Sequence, residues 1–168
     1  MKINYNSYNI SKRIFDIIIS TLLIIIFIFP ILLILIIILL VDRQNPIYFS
    51  KRVGINNLIF QMPKLRTMNK NTPPVATHLF DKHHNISKLG KILRKTSVDE
   101  IPQLFSILLG KMSIVGPRPA LFNQYDLNEL RTQNSIQLIK PGITGWAQIN
   151  GRDNLTIKQK VEMDIYYY

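Results

Sequence analysis

One segment restricts the fold of this chain more than any other: the sequence from Ile17 to Val41 is almost wholly apolar. Ser20 and Thr21 are its polar residues, and both side chains can bond to carbonyls within a helix. A run of about 25 residues is long enough for a helix that crosses a bilayer. Its length, and the lack of a small-residue cleavage site after it, argue against a signal peptide. The run therefore predicts a membrane anchor.

The proline at position 30 complicates a simple spanning helix. It divides the run into halves of about 12 to 13 residues, each roughly 20 Å long, and neither alone crosses a hydrocarbon core of about 30 Å. Basic residues flank the run on both sides: Lys2, Lys12 and Arg13 before it, and Arg43, Lys51 and Arg52 after it. The positive-inside rule places both flanks in the cytoplasm. A re-entrant helix broken at Pro30 satisfies both observations; a kinked spanning helix is the alternative, since membrane helices tolerate proline.

The chain as a whole is strongly basic, with a formal net charge of +11. Such a charge suits nucleic acid, anionic lipid or phosphorylated substrates. No nucleic-acid recognition motif accompanies the lysines, so nucleic acid is not an expected partner. The sequence contains no cysteine, which excludes disulfides and thiolate metal sites. Its three histidines lack the spacing of a zinc motif.

Two adjacent carboxylates, Asp99 and Glu100, organise the part of the chain that follows the anchor. They come after the basic pair Arg94-Lys95 and just before Pro102, a residue that fits only near a helix start. Apolar residues then recur at helical spacing and a glycine closes the run: Ile101, Leu104, Phe105, Leu108, Leu109 and Gly110. A helix that starts here would offer an anion site, where a phosphate-bearing substrate meets a carboxylate. Equally, Ser97 and Glu100 fit a capping box, which needs no chemistry.

Short elements surround these carboxylates. Residues 47–49 are typical of a short strand or of a segment at the membrane interface, residues 58–60 are typical of a strand, and a turn lies between them. Residues 87–95 predict a basic amphipathic helix, which either lies on an anionic membrane surface or is an ordinary surface helix. The chain is therefore expected to form an α+β fold, with a Pro-broken membrane helix in residues 1–45. Residues 46–168 would then form a small, mostly helical domain with short strands.

Two arginines lie in segments that prolines and glycines shape. Pro117 and Pro119 flank Arg118 and restrict the backbone around it, which suits bidentate recognition of a phosphate. An exposed arginine in a turn is the alternative. Arg152 follows the loop 141–148, which contains the sole tryptophan, and is a further candidate for a phosphate or nucleotide contact.

Several long motifs occur in one order along the chain. They are RVG…F…KLRTM from Arg52 to Met68, LRKTSVDEIPQL from Leu93 to Leu104, GKMSIVGPRP from Gly110 to Pro119, and PGITGWAQINGR from Pro141 to Arg152. In these motifs the chain resembles the bacterial sugar transferase family, the monotopic polyprenyl-phosphate phosphoglycosyl transferases. The resemblance runs from the segment 12–16 to the segment 164–167, nearly the whole chain.

The resemblance implies a reaction and a set of site residues. Such enzymes transfer a sugar 1-phosphate from a UDP-sugar to undecaprenyl phosphate, release UMP, and so begin the synthesis of a bacterial polysaccharide or glycoconjugate. Asp99 falls on the family's nucleophile, which forms a covalent phosphosugar intermediate. Glu100 falls on its partner, which is associated with Mg²⁺. Four basic residues fall on positions near the substrate phosphates: Lys64, Arg94, Arg118 and Arg152.

The resemblance also implies a cellular setting. It favours the re-entrant course at Pro30, with the catalytic domain on the cytoplasmic face of the bacterial inner membrane and in contact with membrane lipid. A second copy of the chain, forming a homodimer, is a further candidate partner. An alternative from another functional class is a truncated, catalytically inactive paralogue that binds lipid or a partner protein, because the chain stops at Tyr168 where relatives continue.

Overall fold

The computed structural model describes residues 5–69, 72 and 86–168, and within them the chain has an α+β fold. A long apolar helix, α1 (Tyr5–Val41), precedes a small domain of short helices and strands. This arrangement confirms the predicted fold class. The three histidines of the sequence lie outside the described residues.

Helix α1 is continuous through Pro30, where the sequence predicted a break. A proline inside a helix removes one backbone hydrogen bond and favours a kink, but the residues on both sides of Pro30 stay helical. The two halves are therefore not separate helices, and the re-entrant course stays a prediction. By length and composition alone, the stretch Ile10–Val41 is able to cross a membrane.

The domain after α1 consists of short elements. In chain order these are β1 (Ile47–Val53), β2 (Ile59–Leu65), α2 (Lys88–Lys95), α3 (Gln103–Leu108), β3 (Ser113–Val115), α4 (Tyr125–Gln133), β4 (Gly142–Thr144), α5 (Trp146–Ile149) and α6 (Ile157–Tyr167). Short 3-10 turns lie at Ile55–Asn57, Val98–Glu100, Ile136–Leu138 and Arg152–Asn154. Strands β1 and β2 pair antiparallel, with Ile47 opposite Leu65, which confirms the predicted hairpin. Strands β3 and β4 pair parallel.

Two apolar clusters join the domain to α1. The larger one consists of five buried side chains: Phe60, Met62, Leu104, Ile107 and Met112. Leu23 and Ile24 of α1 pack against this cluster. In the second cluster, Ile38 of α1 is itself fully buried, beside Leu65 and Leu93. Helix α1 therefore contacts the domain along much of its length and not only at one end.

Helix α3, which follows the two carboxylates, begins later than the sequence predicted. It starts at Gln103, behind its N-cap residue Pro102, whereas Asp99 and Glu100 lie in a separate 3-10 turn. The predicted anion site at a helix start that includes these carboxylates is therefore not formed. The two acidic side chains are instead positioned by the tight turn.

The buried face of α3 also differs from the predicted one. Ile107 is fully buried, whereas Phe105 and Leu109 are 49% and 71% exposed. Leu104 and Ile107 lie three residues apart, on one side of the helix, and a helix of six residues brings only one narrow face to the core. Gly110 ends the segment as predicted, with a φ of 75° that glycine adopts without strain.

Helix α2 is present, as the basic amphipathic pattern predicted. Ser87 caps it, because its hydroxyl oxygen accepts a hydrogen bond from the Gly90 amide at 2.9 Å. Leu93 is buried on its inner face. Gly90 lies so close to the chain after β2 that an added Cβ would be 2.2 Å from the Thr67 carbonyl oxygen. This close approach packs α2 directly against the segment that follows β2.

Candidate active site

Glu100 is the centre of a largely buried ion cluster. Its Oε1 accepts hydrogen bonds from Lys64 Nζ at 2.8 Å and from Arg118 Nη2 at 2.7 Å. Arg118 Nη1 lies 3.4 Å from the other carboxylate oxygen, Oε2. Burial acts to raise the pKa of Glu100, but the charges of Lys64 and Arg118 outweigh it and lower the pKa from 4.5 to about 2. Glu100 is therefore an ionised carboxylate that holds two cations together.

Three separate elements bring this cluster together. The 3-10 turn carries Glu100, β2 supplies Lys64, and the loop after β3 supplies Arg118. Ser97, just before the turn, adopts a left-handed φ of 58° and its side chain makes no capping hydrogen bond. The capping box with Glu100 is therefore wrong, because the Glu100 carboxylate bonds to cations of other elements instead of the local backbone.

Arg52 belongs to the same cluster, although the sequence did not single it out as a site residue. It lies on β1, and its Nη1 donates to the Pro119 carbonyl oxygen at 3.0 Å. Burial, followed by the neighbouring charge of Arg118, lowers its pKa to about 10. Burial likewise lowers the pKa of Lys64, and the attraction of Glu100 opposes this decrease. The only sequence signal for Arg52 is its place at the start of the RVG motif.

Asp99 lies beside this cluster and is itself buried, with 7% of the residue exposed. Burial raises its pKa, while the charges of Lys64 and Arg94 oppose the increase. Arg94 is held in place because its Nε donates to Thr67 Oγ1 at 2.8 Å. Asp99 is thus a carboxylate in a poorly solvated position with two cations nearby.

A cleft of about 390 Å³ opens beside Glu100. Part of its lining is apolar and includes Leu23 and Phe27, which lie four residues apart on one face of α1. Ser97 and Arg152 are among its polar lining residues. The long apolar helix and the ion cluster therefore border the same space.

The four basic residues singled out by the sequence occupy different places. Lys64 and Arg118 contact Glu100, and Arg94 lies close enough to Asp99 to affect its pKa. Arg152 is exposed and lines the cleft from the 3-10 turn near the chain's end, with a left-handed φ of 50°. All four therefore border either the carboxylate pair or the cleft next to it.

The backbone around Arg118 is held from both sides, as its flanking prolines predicted. Arg131 Nη1 donates to the Arg118 carbonyl oxygen at 2.9 Å, and Arg52 bonds to the carbonyl of Pro119. Arg131 in turn forms a 2.7 Å ion pair with the buried carboxylate of Asp164. The Arg118 side chain is 43% exposed, so its guanidinium is open to solvent beside Glu100 while its backbone is held in place.

The resemblance associates a Mg²⁺ ion with Glu100, so the surroundings of this carboxylate decide whether such an ion fits. Across residues 5–69, 72 and 86–168, no group of three or more metal-ligating side chains is found. Mg²⁺ is commonly held by one or two carboxylates and completed by phosphate oxygens. Glu100 Oε1 accepts hydrogen bonds from two cations, Oε2 makes a longer contact of 3.4 Å with Arg118, and Glu100 borders the cleft. A single carboxylate that borders a cleft is compatible with a Mg²⁺ ion held mainly by oxygens of a substrate.

Fold and site together define a class of protein: an α+β domain on a long apolar helix, with two carboxylates among basic side chains. The profile of the bacterial sugar transferase family matches residues 7–168. The chain therefore belongs to the bacterial sugar transferase family, which confirms the resemblance found in its motifs.

Three curated relatives illustrate this membership. The uncharacterized sugar transferase EpsL of Bacillus subtilis is 39% identical over 124 residues, covering 73% of this chain and 60% of EpsL. An uncharacterized sugar transferase of Haemophilus influenzae is 37% identical, covering 96% of this chain and 37% of the relative. The UDP-glucose:undecaprenyl-phosphate glucose-1-phosphate transferase of Escherichia coli is 35% identical, covering 93% of this chain and 35% of the relative. The chain thus spans between a third and two thirds of the length of these relatives.

Proposed function

We propose that the protein transfers a sugar 1-phosphate from a UDP-sugar to undecaprenyl phosphate, as a first step in the synthesis of a polysaccharide or glycoconjugate. The observation that carries the proposal is the position of Asp99, a buried carboxylate near Lys64 and Arg94 and next to the Glu100 cluster. The cleft beside Glu100 has apolar lining from α1, which suits a lipid acceptor. The name of the Escherichia coli relative describes the same type of transfer.

In the proposed first step, an oxygen of the Asp99 carboxylate attacks the β-phosphorus of the UDP-sugar. A bond forms between this oxygen and phosphorus, the anhydride bond to the α-phosphate breaks, and UMP leaves with the electron pair. In the second step, a phosphate oxygen of undecaprenyl phosphate attacks the same phosphorus and displaces the Asp99 carboxylate. The covalent intermediate allows two bulky substrates to react in turn at one site.

The basic residues supply the charge stabilisation that such a displacement needs. Cations that are already held in place stabilise the negative charge that develops on phosphoryl oxygens. Arg118 is half-exposed and can contact a substrate phosphate, and Arg152 borders the same cleft. Lys64 and Arg94 are close to Asp99 and would lower the repulsion between its carboxylate and the phosphates.

Glu100 would hold a Mg²⁺ ion together with the diphosphate of the bound substrate. When bound, such an ion would neutralise charge on the leaving phosphate. Because Glu100 Oε1 accepts hydrogen bonds from Lys64 and Arg118, Oε2, whose contact with Arg118 is longer at 3.4 Å, would be the oxygen that binds such an ion. Asp99 then remains available for attack on phosphorus.

The contacts of α1 support a re-entrant course in the membrane. Asp16 near its start accepts a hydrogen bond from Ser113, and Asp42 just after its end accepts one from Ser87. A straight helix between these two points is about 39 Å long, more than the thickness of a hydrocarbon core of about 30 Å. A helix that spans the bilayer would carry one of these points to the side away from the domain. We therefore place both ends of α1, and the domain, on the cytoplasmic face.

The reaction is tested with the full chain in nanodiscs, with Mg²⁺, undecaprenyl phosphate and a panel of UDP-sugars. UMP release and the mass of a phosphosugar adduct on the protein are measured. Asp99→Asn should lose both, whereas Glu162→Gln, which changes an exposed carboxylate on α6, should keep both. Turnover by Asp99→Asn at the wild-type rate would refute the assigned role. Membrane association without UMP release from any UDP-sugar would support the inactive, lipid-binding alternative.

The topology is tested by labelling, which the lack of cysteine in the sequence makes simple. Single cysteines introduced as Ser11→Cys and Tyr168→Cys are treated in intact cells with a thiol reagent that does not enter the cytoplasm. A re-entrant α1 predicts that neither site is labelled until the cells are permeabilised. Labelling of the N-terminal cysteine in intact cells would instead indicate a spanning helix.

A further inference from the structure

We propose that residues 12–16 of α1 fix the position of the acidic turn, Val98–Glu100, relative to the loop that carries Arg118. In this arrangement Asp16 is a positioning residue for Arg118. The residues concerned are Lys12, Arg13 and Asp16, which none of the steps above uses. The proposal rests on the proposed function for its activity readout, and on the structure alone for a second readout given below.

Asp16 ties α1 to strand β3. It is 3% exposed, and its Oδ1 accepts hydrogen bonds from Ser113 Oγ and from the Ile114 amide, each at 3.0 Å. Lys12, one turn earlier, donates from Nζ to the Val115 carbonyl oxygen at 3.0 Å and also bonds to Ser113 Oγ. Every residue of the three-residue strand β3 is therefore bonded to the same face of α1.

Strand β3 leads directly to Arg118, which follows its last residue by three positions. The segment between them has little freedom. An added Cβ on Gly116 would lie 2.4 Å from the Lys140 carbonyl oxygen, and the Pro117 carbonyl accepts a hydrogen bond from the Gly142 amide at 2.9 Å. A shift of β3 would therefore move Arg118 relative to Glu100.

Arg13 links the same part of α1 to helix α3, which follows the acidic turn. Its Nη1 donates to the Ile107 carbonyl oxygen at 2.6 Å, and its Nη2 donates to that of Leu108 at 2.7 Å. These are terminal carbonyls of α3, which lack partners within the helix. Helix α3 follows the turn that carries Asp99 and Glu100. Residues 12–16 of α1 thus hold both segments that meet in the Glu100–Arg118 contact, Lys12 and Asp16 through β3 and Arg13 through α3.

Anchoring alone does not explain this network. The exposed apolar surface of α1 is sufficient to keep the helix in a bilayer, and a buried carboxylate costs free energy unless its hydrogen bonds are satisfied. The polar contacts also point into the domain and not toward lipid. We infer that they set the distance between the acidic turn and the Arg118 loop when α1 docks.

Turnover of Asp16→Ala, Asp16→Asn and their combinations with Arg118→Ala tests the proposal. Asp16→Ala should lower kcat at least about tenfold, because small displacements of catalytic groups can cost up to about 100-fold. Asp16→Asn keeps an oxygen acceptor for Ser113 and Ile114 and should stay within about threefold of wild type. In the Arg118→Ala background, Asp16→Ala should cause no further loss. Ser20→Ala, which removes hydrogen bonds only within α1, is the matched control and should leave kcat unchanged.

Hydrogen exchange of the full chain in nanodiscs gives a readout that does not need turnover. Asp16→Ala should speed exchange over residues 113–118 and leave helix α4 unchanged. If the wild-type protein released no UMP, the proposed function would fail while exchange still tested the network. Unchanged exchange, wild-type turnover by Asp16→Ala, or losses that multiply with those of Arg118→Ala would each overturn the proposal. Should Asp16→Ala not fold, Ser113→Ala replaces it, with a smaller loss that must also vanish in the Arg118→Ala background.

Discussion

Replacement of Glu100 by glutamine tests the ion cluster directly, because Glu100→Gln removes the charge and keeps the shape of the side chain. In the folded protein the pKa of Glu100 falls from 4.5 to about 2. Each tenfold change in proton affinity corresponds to about 1.4 kcal/mol, so the charged form is stabilised by about 3 kcal/mol. Breaking a buried ion pair by removing one partner typically costs about 3–5 kcal/mol, which agrees with this value.

The pH dependence of this effect has a definite sign. A carboxylate whose pKa is lowered by folding stabilises the folded state above its unfolded pKa, and this contribution is lost as the pH falls toward the folded pKa. Glu100→Gln should therefore lower the free energy of unfolding by about 3 kcal/mol at pH 7, and the difference should shrink between pH 4.5 and about 2. The pKa of Lys64 is lowered although it pairs with Glu100, because burial and neighbouring guanidinium groups outweigh one carboxylate.

Urea unfolding of the full chain in detergent micelles measures this difference at pH 7 and pH 3. Fluorescence of Trp146, the sole tryptophan, reports the transition, because its ring stacks on Tyr166 at 5.4 Å only in the folded protein. Glu162→Gln is the matched control, and an exposed change of this kind should stay within about 0.5 kcal/mol. A loss below about 1 kcal/mol at pH 7, or one of the same size at pH 3, would refute the reasoning.

Three further predictions concern the same region. Burial raises the pKa of Asp99, so its negative charge opposes folding above that pKa. Asp99→Asn should therefore raise the thermal midpoint of unfolding at pH 7 and leave it unchanged near pH 3. A lower midpoint at pH 7 would contradict this. For the same reason, UMP release should decline with falling pH at a value above 3.8, the ordinary pKa of aspartate, and an acid limb at or below 3.8 would argue against Asp99 as the nucleophile. Gly90→Ala should lower the free energy of unfolding by about 1–3 kcal/mol in urea, because its Cβ would meet the Thr67 carbonyl, whereas exposed Lys91→Ala should change it little.

Local patterns in the sequence predicted the long helix, the first hairpin, α2 and the segment of α3. The hairpin of β1 and β2, the helix α2 behind Ser87 and the end of the α3 segment at Gly110 depend on neighbouring residues, so a short window contains the signal. Local patterns gave wrong predictions where tertiary packing determines which side chains are buried. Ile107 is buried and Phe105 is exposed because α3 is short and one side of it meets α1, which periodicity alone did not reveal.

The residues of the candidate site could be named from the sequence, but their contacts could not. Motif resemblance named Asp99, Glu100 and the basic residues Lys64 and Arg118, but a sequence pattern carries no distances. That Glu100 bonds to Lys64, 36 positions earlier, and to Arg118, 18 positions later, is a property of the packed elements. Arg52 was missed for this reason, since it meets Pro119, 67 positions later, only because β1 pairs with the segment around Leu121.

By itself the sequence determined that the chain has a long apolar helix, a strong positive charge and an acidic pair next to basic residues. Only the tertiary structure decided that α1 packs against the domain from Asp16 to Asp42, and that the acidic pair faces cations from β2 and the Arg118 loop. The physical reason is that apolar periodicity and charge act within one element, whereas these contacts arise only when elements far apart in the chain share one core.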